Sequence, residues 1–287
     1  MSRLRISAIS YLNTAPLMWD FEHGEAGKSF EISYTLPSQC AAALAQGTAD
    51  IGIIPAAAYV TIPDLLILPG VAIAAREAVR SILLVSRKPL DEVRTVALDS
   101  SSLTSVALTK VLFAKWLGGA RTYKSMAPQL ETMLNACDAG LLIGDPALQI
   151  DRSRYYTLDL AEEWQKRTGN PFVFAFWAVR EAALENAVPE CELTKVFQDS
   201  RDHGLALKSL DQIAKEWSPK LGLSEDGVKN YLTRSIHFDL DSACLEGLRL
   251  FYRYAAECEA LSAAPPLRFL ASTASQARHL ATAESAD

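Results

Sequence analysis

Residues 5–17 read RISAISYLNTAPL, and this stretch decides the fold class. Its apolar residues predict a buried strand that ends near Ile9 and turns directly into a helix. Asn13 or Thr14 suits the N-cap of that helix, and Pro16 suits its first turn, where an N–H group would lack a partner anyway. Free N–H groups and the helix dipole at such a start favour an anion. The stretch therefore predicts an α/β protein that binds its ligand at the end of the first strand.

The rest of the chain alternates strand-like and helix-like runs, the pattern of a mostly parallel sheet. The strand-like runs are Ile32–Thr35, Asp50–Ile54, Leu65–Leu68, Ser81–Val85, Thr95–Leu98, Ala139–Ile143 and Phe172–Val179. Helix-like runs include Gln39–Gln46, Leu103–Leu117, Pro128–Cys137 and Leu160–Thr168. After Arg180 only amphipathic helices follow, at Glu190–Leu207, Leu210–Trp217, Ser224–Arg234 and Asp239–Leu261. We therefore expect an α/β fold with a helical C-terminal segment.

The composition is that of an ordinary globular enzyme, with 287 residues, 49% of them hydrophobic, and a formal net charge of −6. This acidic balance argues against nucleic acid or an anionic membrane as a partner, because both attract a basic face. An anionic ligand must instead be held by local donors. Because Met1–Arg5 leads into a strand without an apolar signal segment, we expect a cytoplasmic protein.

Neither the cysteines nor the histidines are spaced for a metal site. The cysteines lack a CxxC pair and the histidines lack an HxxxH pair. We therefore expect reduced thiols and no metal. The cysteines are Cys40, Cys137, Cys191, Cys244 and Cys258.

The phrase Ser10–Thr14, followed by Pro16 and Leu17, resembles the opening signature of the chorismate dehydratases of the futalosine route to menaquinone. Further stretches resemble the same family and follow in the expected order. They are Gln46–Pro55, Val79–Ser86, Ala97–Asp99 running into Ser102–Val106, Ile143–Leu148 and Gly169–Trp177. Each is weak alone, but together they make a specific match.

The resemblance implies the two-lobed fold of type II periplasmic binding proteins. Crossings between lobes are expected at Arg87–Leu90, where a strand-like run ends in charge and proline, and near Ala178–Arg180. The predicted lobes are 1–88 plus 180–271 for lobe one and 89–179 for lobe two, with 272–287 as a mobile tail rich in Ala, Ser and Thr.

The resemblance also implies the reaction of a hydro-lyase that uses neither metal nor organic cofactor. Its substrate would be the small dianion chorismate, which loses its ring hydroxyl and the hydrogen of the neighbouring ether carbon to give 3-[(1-carboxyvinyl)oxy]benzoate. Removal of that hydrogen moves negative charge onto the ring carboxylate. Fixed donors around that carboxylate are therefore the main catalytic requirement.

Asn13 is the predicted catalytic residue. An Asn at such a turn ordinarily caps the helix. The family resemblance favours a site role instead, in which the amide binds the departing hydroxyl or a substrate carboxylate. Ser10 and Thr14, from the same turn, are weaker substrate-binding candidates.

Two further groups of hydroxyls are predicted to bind substrate. Ser81 lies in the Val79–Ser86 stretch, which resembles a binding segment of the family. Ser102, Thr104 and Ser105 cluster where a strand turns into a helix, a second helix start that can receive a carboxylate. Simple capping of that helix is the alternative, and one helix end can do both.

Asp145 should emerge at the carboxyl end of the Ala139–Ile143 strand, where open α/β sheets place their sites. A carboxylate there would repel an anionic ligand unless it were protonated or turned to a hydroxyl. We therefore expect a structural or hydroxyl-orienting role before a general-base role. Capping of a helix begun by Pro146 is the alternative.

No family-like stretch contains a histidine that might act as a base. His23, His203, His237 and His279 lie in surface-like or C-terminal helical settings. This suggests the hypothesis that the enolpyruvyl carboxylate of the substrate accepts the proton, a proximity effect.

Two other functions remain open on this fold. One is a 1,4-dihydroxy-6-naphthoate synthase-like enzyme of the same pathway, whose opening phrase differs from Ser10–Thr14. The other is a non-catalytic protein that binds a small carboxylate. Because a scaffold does not fix chemistry, the site has to decide between them.

Overall fold

The computed structural model describes residues 3–186 and 190–271 and contains two five-stranded sheets. The strands are β1 Leu4–Ile9, β2 Phe30–Thr35, β3 Ile51–Pro55, β4 Leu65–Ala75, β5 Ile82–Ser86, β6 Thr95–Asp99, β7 Thr122–Met126, β8 Ala139–Ile143, β9 Tyr156–Asp159 and β10 Phe172–Arg180. The helices are α1 Trp19–His23, α2 Pro37–Gln46, α3 Thr104–Leu112, α4 Leu130–Ala136, α5 Asp145–Leu148, α6 Leu160–Thr168, α7 Glu190–Gly204, α8 Leu207–Leu221, α9 Glu225–Asn230 and α10 Ser242–Glu257. The predicted tail, 272–287, lies outside the described residues.

Both sheets are mixed and share one pattern. The first has the order β2-β1-β3-β10-β4 and the second has the order β7-β6-β8-β5-β9. In each sheet the first three strands are parallel, and the fourth runs antiparallel to both neighbours. The fourth strands, β5 and β10, are those by which the chain enters the second sheet and returns to the first. Four strands of each sheet therefore run in one direction, and the connecting strand, β5 or β10, is the one that is reversed.

The chain changes sheets between Ala75 and Ile82 and again between Asp159 and Phe172. The predicted lobe boundaries, after residue 88 and after residue 179, each lie one strand later than these crossings. Charge and proline at Arg87–Leu90 mark the end of β5, not the connection before it. The division into two lobes remains a prediction, and sheet membership places β5 with the second sheet and β10 with the first.

The sequence pattern predicted the buried strands but missed β7 and β9. Both lie at an edge of the second sheet and have largely exposed or half-buried residues. Such strands lack the apolar run or clear alternation on which the prediction rests. The expected C-terminal helices are present as α7 to α10.

One apolar core extends through both sheets and the C-terminal helices. At its centre Trp164 of α6 and Phe251 of α10 pack edge-to-face with Phe172 of β10. This packing fixes the C-terminal segment against the strand that returns to the first sheet. None of the described helices is long and apolar enough to cross a membrane.

Candidate active site

A cleft of about 510 Å³ lies between the two sheets. Its walls are the carboxyl ends of β1, β3, β4 and β8, the amino ends of β5 and β10, and the starts of α2 and α3. The described side chains that line it are apolar or neutral polar, with no formal charge among them.

The turn after β1 brings Asn13 into this cleft. The chain continues from β1 as a 3₁₀ helix, Leu12–Met18, with Tyr11 at its N-cap position and no side-chain cap. Asn13 therefore lies inside the turn, is 9% exposed and lines the cleft. Capping by Asn13 or Thr14, the ordinary alternative for these residues, does not occur.

The start of this turn is already occupied by a carboxylate. The Leu12 N–H donates to Oδ1 of Asp145 at 3.0 Å, which joins the first sheet to the end of β8 in the second. Burial raises the pKa of Asp145 to about 6, against the hydrogen bond from Leu12 and the charge of Lys220. Asp145 thus binds the other helix start and does not cap its own helix, α5.

Gly144, just before Asp145, is required by both backbone and packing. Its φ is +62°, in the left-handed region, and an added Cβ would lie 2.6 Å from the Tyr11 ring. Tyr11 therefore packs directly on this peptide at the floor between the sheets.

Ser81 is buried behind the cleft, and its side chain does not line it. The Tyr231 hydroxyl donates to the Ser81 hydroxyl at 2.8 Å, and the Ser81 carbonyl accepts from the Gly144 N–H at 2.7 Å. Burial raises the pKa of Tyr231, against hydrogen bonds with Ser81 and Asn13. Tyr231, which no sequence pattern indicated, is therefore the partner of the buried Ser81 hydroxyl.

The start of α3 forms the opposite wall of the cleft. Leu103 occupies its N-cap position, and no side chain caps it. The hydroxyls of Ser102 and Ser105 make no hydrogen bond within the described part of the chain, and both residues line the cleft. Simple capping by this serine cluster is therefore not observed, and the helix start stays open toward the cleft.

Thr104, in the same segment, has a different position from its neighbours. Its hydroxyl donates to the Phe174 carbonyl at 3.0 Å and accepts from the Ala57 N–H at 3.1 Å. Both partners belong to the first-sheet side, so Thr104 ties the two sides together. The backbone N–H of Thr104, unlike its hydroxyl, remains available to a ligand.

Ser10 and Thr14 line a second cavity, of about 600 Å³, instead of the cleft. This cavity also contains Lys220 and Trp217, and Tyr11 separates it from the cleft by lining both. The turn after β1 thus presents Asn13 to one side and Ser10 and Thr14 to the other.

Two aspartates support the site without having been predicted. Asp159 accepts from the backbone N–H of Val79 and of Arg80, and so holds the turn before Ser81 in place. Arg80 has a φ of +66° and an exposed side chain. Asp99 accepts from the backbone and hydroxyl of Ser101, the residue before the open serines. Both lie at strand ends, a signal that could have identified them.

The aromatic block of β10 contributes two wall residues, Phe174 and Ala175. Phe174 lines the cleft, whereas Phe176 and Trp177 are fully buried in the core. Strict alternation would place Phe174 and Phe176 on the same face, but the pairing of β10 with β4 shifts register on both sides of this segment, so the simple alternation is interrupted.

One group of side chains has the composition of a metal site. His237, Asp241 and Cys244 offer ligand atoms within 4.8 Å of one another. Oδ2 of Asp241 also accepts from the Arg76 guanidinium at 2.5 Å and lies 2.9 Å from Nε2 of His237. The positive charge of this guanidinium, which binds the same oxygen, repels a cation at the group. We therefore assign the three side chains a structural role.

Two sheets facing one cleft define the class of two-lobed α/β binding folds, and solved structures agree. A protein from Archaeoglobus fulgidus matches with a TM-score of 0.70 at 16% identity over 90% of this chain and 97% of its own. A Candida albicans protein with the generic periplasmic binding protein fold matches with a TM-score of 0.61 at 12% identity over 93% of both chains. These matches establish the fold alone.

Within that class, the family model described as menaquinone biosynthesis matches residues 4–257, and the chain belongs to this family. A curated relative is the chorismate dehydratase of Thermus thermophilus, which is 29% identical over 259 residues, covering 84% of this chain and 91% of the relative.

Proposed function

We propose that this protein is a chorismate dehydratase, an enzyme of menaquinone biosynthesis that removes water from chorismate. The carrying observation is the family match over residues 4–257. The relative named as a chorismate dehydratase supports the particular reaction. The cleft carries neutral donors on both walls, as an anionic substrate requires.

The proposed carboxylate cradle is the start of α3. Its first N–H groups have no side-chain cap, and Ser102 and Ser105 add two hydroxyls that have no other described partner. Together with the helix dipole, these donors stabilise a carboxylate without a cationic side chain. When charge develops on the ring carboxylate, the same donors are already in place.

Asn13 faces this cradle across the cleft and is the proposed catalytic residue. Its amide can both donate and accept, so it suits the departing ring hydroxyl. In the elimination the C–H bond at the ether carbon breaks, its electrons move into the ring and the C–O bond of the hydroxyl breaks. The proton removed from the ether carbon passes to the departing hydroxide, which leaves as water, and the ring becomes aromatic.

The proton acceptor in this proposal is the enolpyruvyl carboxylate of the substrate itself. Among the described residues, those that line the cleft include no His, Lys, Asp or Glu. Asp145 lies nearby but accepts from Leu12, which leaves it in the structural role expected of it. A substrate analogue without the enolpyruvyl carboxylate should bind and fail to react, whereas normal turnover of a bound analogue would contradict this step.

We also propose that the two sheets form two lobes that close around the substrate. The cleft takes opposite walls from different sheets, and Thr104 and Asp145 make hydrogen bonds between them. The lobe boundaries then follow sheet membership, with the crossings before β5 and before β10.

The direct test is to incubate the purified protein with chorismate and to follow the products by mass spectrometry and ultraviolet absorbance. The proposal expects loss of one water and appearance of 3-[(1-carboxyvinyl)oxy]benzoate. Tight binding without turnover would instead indicate a non-catalytic carboxylate-binding protein. No binding and no turnover would exclude both.

A further inference from the structure

Tyr11 lies at the boundary between the cleft and the second cavity. The linings of the two cavities have Ile9 and Tyr11 in common. Ile9 is the last residue of β1, is 4% exposed and belongs to the apolar core, whereas Tyr11 is half-buried. The Tyr11 side chain is therefore the part of this boundary that a substitution can remove without opening the core.

The contacts of Tyr11 show that its ring, and not only its backbone, forms the boundary. A Cβ added at Gly144 would lie 2.6 Å from both Cδ2 and Cε2 of Tyr11. Because Gly144 lines the cleft, the edge of the ring lies against a cleft residue. The backbone is held separately, since the Tyr11 carbonyl accepts from the Thr14 N–H at 2.9 Å. A smaller side chain at position 11 can thus keep the turn and remove the wall.

The second cavity offers an aromatic face and a cation on the far side of this ring. Lys220 and Trp217 both line it, and Nζ of Lys220 lies 4.7 Å from the centre of the Trp217 ring. The acidic residue of the lining, Glu22, has its carboxylate bound by the Tyr34 hydroxyl. An aromatic ring that entered this cavity from the cleft would be attracted by both the indole and the ammonium group. Whether a ligand reaches them depends on the wall.

We propose that Tyr11 is a specificity-determining residue: its ring closes the cleft towards the second cavity and so limits the cleft to carboxylates with a single ring. Chorismate has one ring and meets this limit, and the inference rests on the proposed function for that substrate. An aromatic carboxylate whose second ring points towards the second cavity is excluded, because that ring would overlap the Tyr11 side chain. Removing the Tyr11 ring should join the two cavities and admit such a molecule.

Benzoate and biphenylcarboxylates measure this limit without turnover. In calorimetric titrations the wild type should bind benzoate, and it should bind biphenyl-3-carboxylate and biphenyl-4-carboxylate at least about tenfold more weakly. In Tyr11→Ala at least one biphenyl isomer should bind about tenfold or more tightly than it does to the wild type, the lower end of what burial of a phenyl ring contributes. Equal affinities of the wild type for benzoate and the biphenyl isomers, or no gain in Tyr11→Ala, would overturn the proposal.

Two control variants separate the wall from the general size of the site. Tyr11→Phe keeps the ring and should keep the selectivity of the wild type. Tyr34→Ala enlarges the second cavity but leaves the Tyr11 ring in place, so it should not admit the biphenyl isomers either. A gain in either control equal to that in Tyr11→Ala would contradict the role of the Tyr11 ring. If Tyr11→Ala does not fold, Tyr11→Leu, which is apolar but has no ring, carries the same expectation.

Trp217 reports where the second ring lies. Binding of a biphenyl isomer to Tyr11→Ala should change the tryptophan fluorescence, and most of this change should be lost in Tyr11→Ala/Trp217→Phe. The same response without Trp217 would show that the second ring does not enter the second cavity, and would overturn the proposal.

The result is distinguishable from the outcome for the proposed function. If the wild type converts chorismate but Tyr11→Ala keeps the selectivity of the wild type, the proposed function stands and the role of Tyr11 is refuted. If the wild type does not convert chorismate but the selectivity changes as expected, the proposed function fails and the role of Tyr11 stands. Absence of binding of every probe to the wild type and the variants would also overturn the inference, because the cleft would then accept no aromatic carboxylate.

Discussion

Two of the helix starts at the cleft, that of the turn after β1 and that of α3, differ in what fills them. The turn after β1 has its first N–H, that of Leu12, bound to the carboxylate of Asp145 from the other sheet. The start of α3 has no side-chain cap and faces the cleft with two serine hydroxyls that have no other described partner. The sequence predicted that an anion would bind at both helix starts. The structure shows that the protein supplies the anion at one and leaves the other open.

This difference divides the work between structure and binding. A carboxylate at the first helix start joins the two sheets next to Asn13. The donors at the second are unsatisfied by the protein, so they are the ones a ligand carboxylate can use.

The largest effect is expected from filling the open helix start. Leu103→Asp places a carboxylate at the N-cap position of α3, at a residue that is 38% exposed. Repulsion and competition for the same N–H groups should weaken chorismate binding about a hundredfold. Leu103→Asn is the control, because it offers a similar cap without charge. Calorimetric titration of both variants distinguishes them, and equal affinities would mean that the substrate carboxylate binds elsewhere.

A smaller effect is expected from removing one open hydroxyl. Ser105→Ala should weaken chorismate binding about tenfold, the order expected when a hydrogen bond to a charged group is lost. Ser101→Ala is the contrast, because the Ser101 hydroxyl is already bound to Asp99 at 2.7 Å. It should lower the free energy of unfolding and leave the Kd unchanged. Equal losses of affinity in the two variants would contradict the distinction between the filled and the open helix start.

The filled helix start makes a prediction about stability and pH. The pKa of Asp145 is about 6 in the folded protein against an ordinary 3.8, so the folded state prefers the protonated carboxyl. Its contribution to stability is complete below pH 4 and is lost as the pH rises through 6. Asp145→Asn keeps an acceptor for the Leu12 N–H and does not titrate.

At pH 7.5 the free energy of unfolding of this variant should therefore be about 1–2 kcal/mol higher than that of the wild type. Below pH 4 this difference in stability should disappear. Urea denaturation at the two pH values measures it. A variant that is less stable than the wild type at pH 7.5 would show that the ionised carboxylate is the stabilising form.

The comparison also shows which features a sequence can predict. The strand at Leu4–Ile9, the buried strands and the α3 start follow from local patterns, and the family-like phrases identified the segments of the cleft. The edge strands β7 and β9 were missed because a half-exposed strand has no apolar run.

Hydrogen bonds between residues that lie far apart in the sequence could not be predicted in the same way. Thr104 and Ser105 are neighbours with similar side chains, yet only the Thr104 hydroxyl is bound to Phe174 and Ala57. Tyr231 lies in an ordinary amphipathic run, and it meets Ser81 because the helical turn that follows α9 brings its hydroxyl within 2.8 Å of the Ser81 hydroxyl. These roles depend on contacts between distant residues, on which local periodicity carries no information.

The most direct test of the account is a crystal structure with 3-[(1-carboxyvinyl)oxy]benzoate bound. We predict a ring carboxylate about 3 Å from the first N–H groups of α3 and from the Ser102 and Ser105 hydroxyls, with Asn13 on the opposite wall. A carboxylate bound instead beside Lys220 in the second cavity, with the α3 start in contact only with solvent, would contradict it.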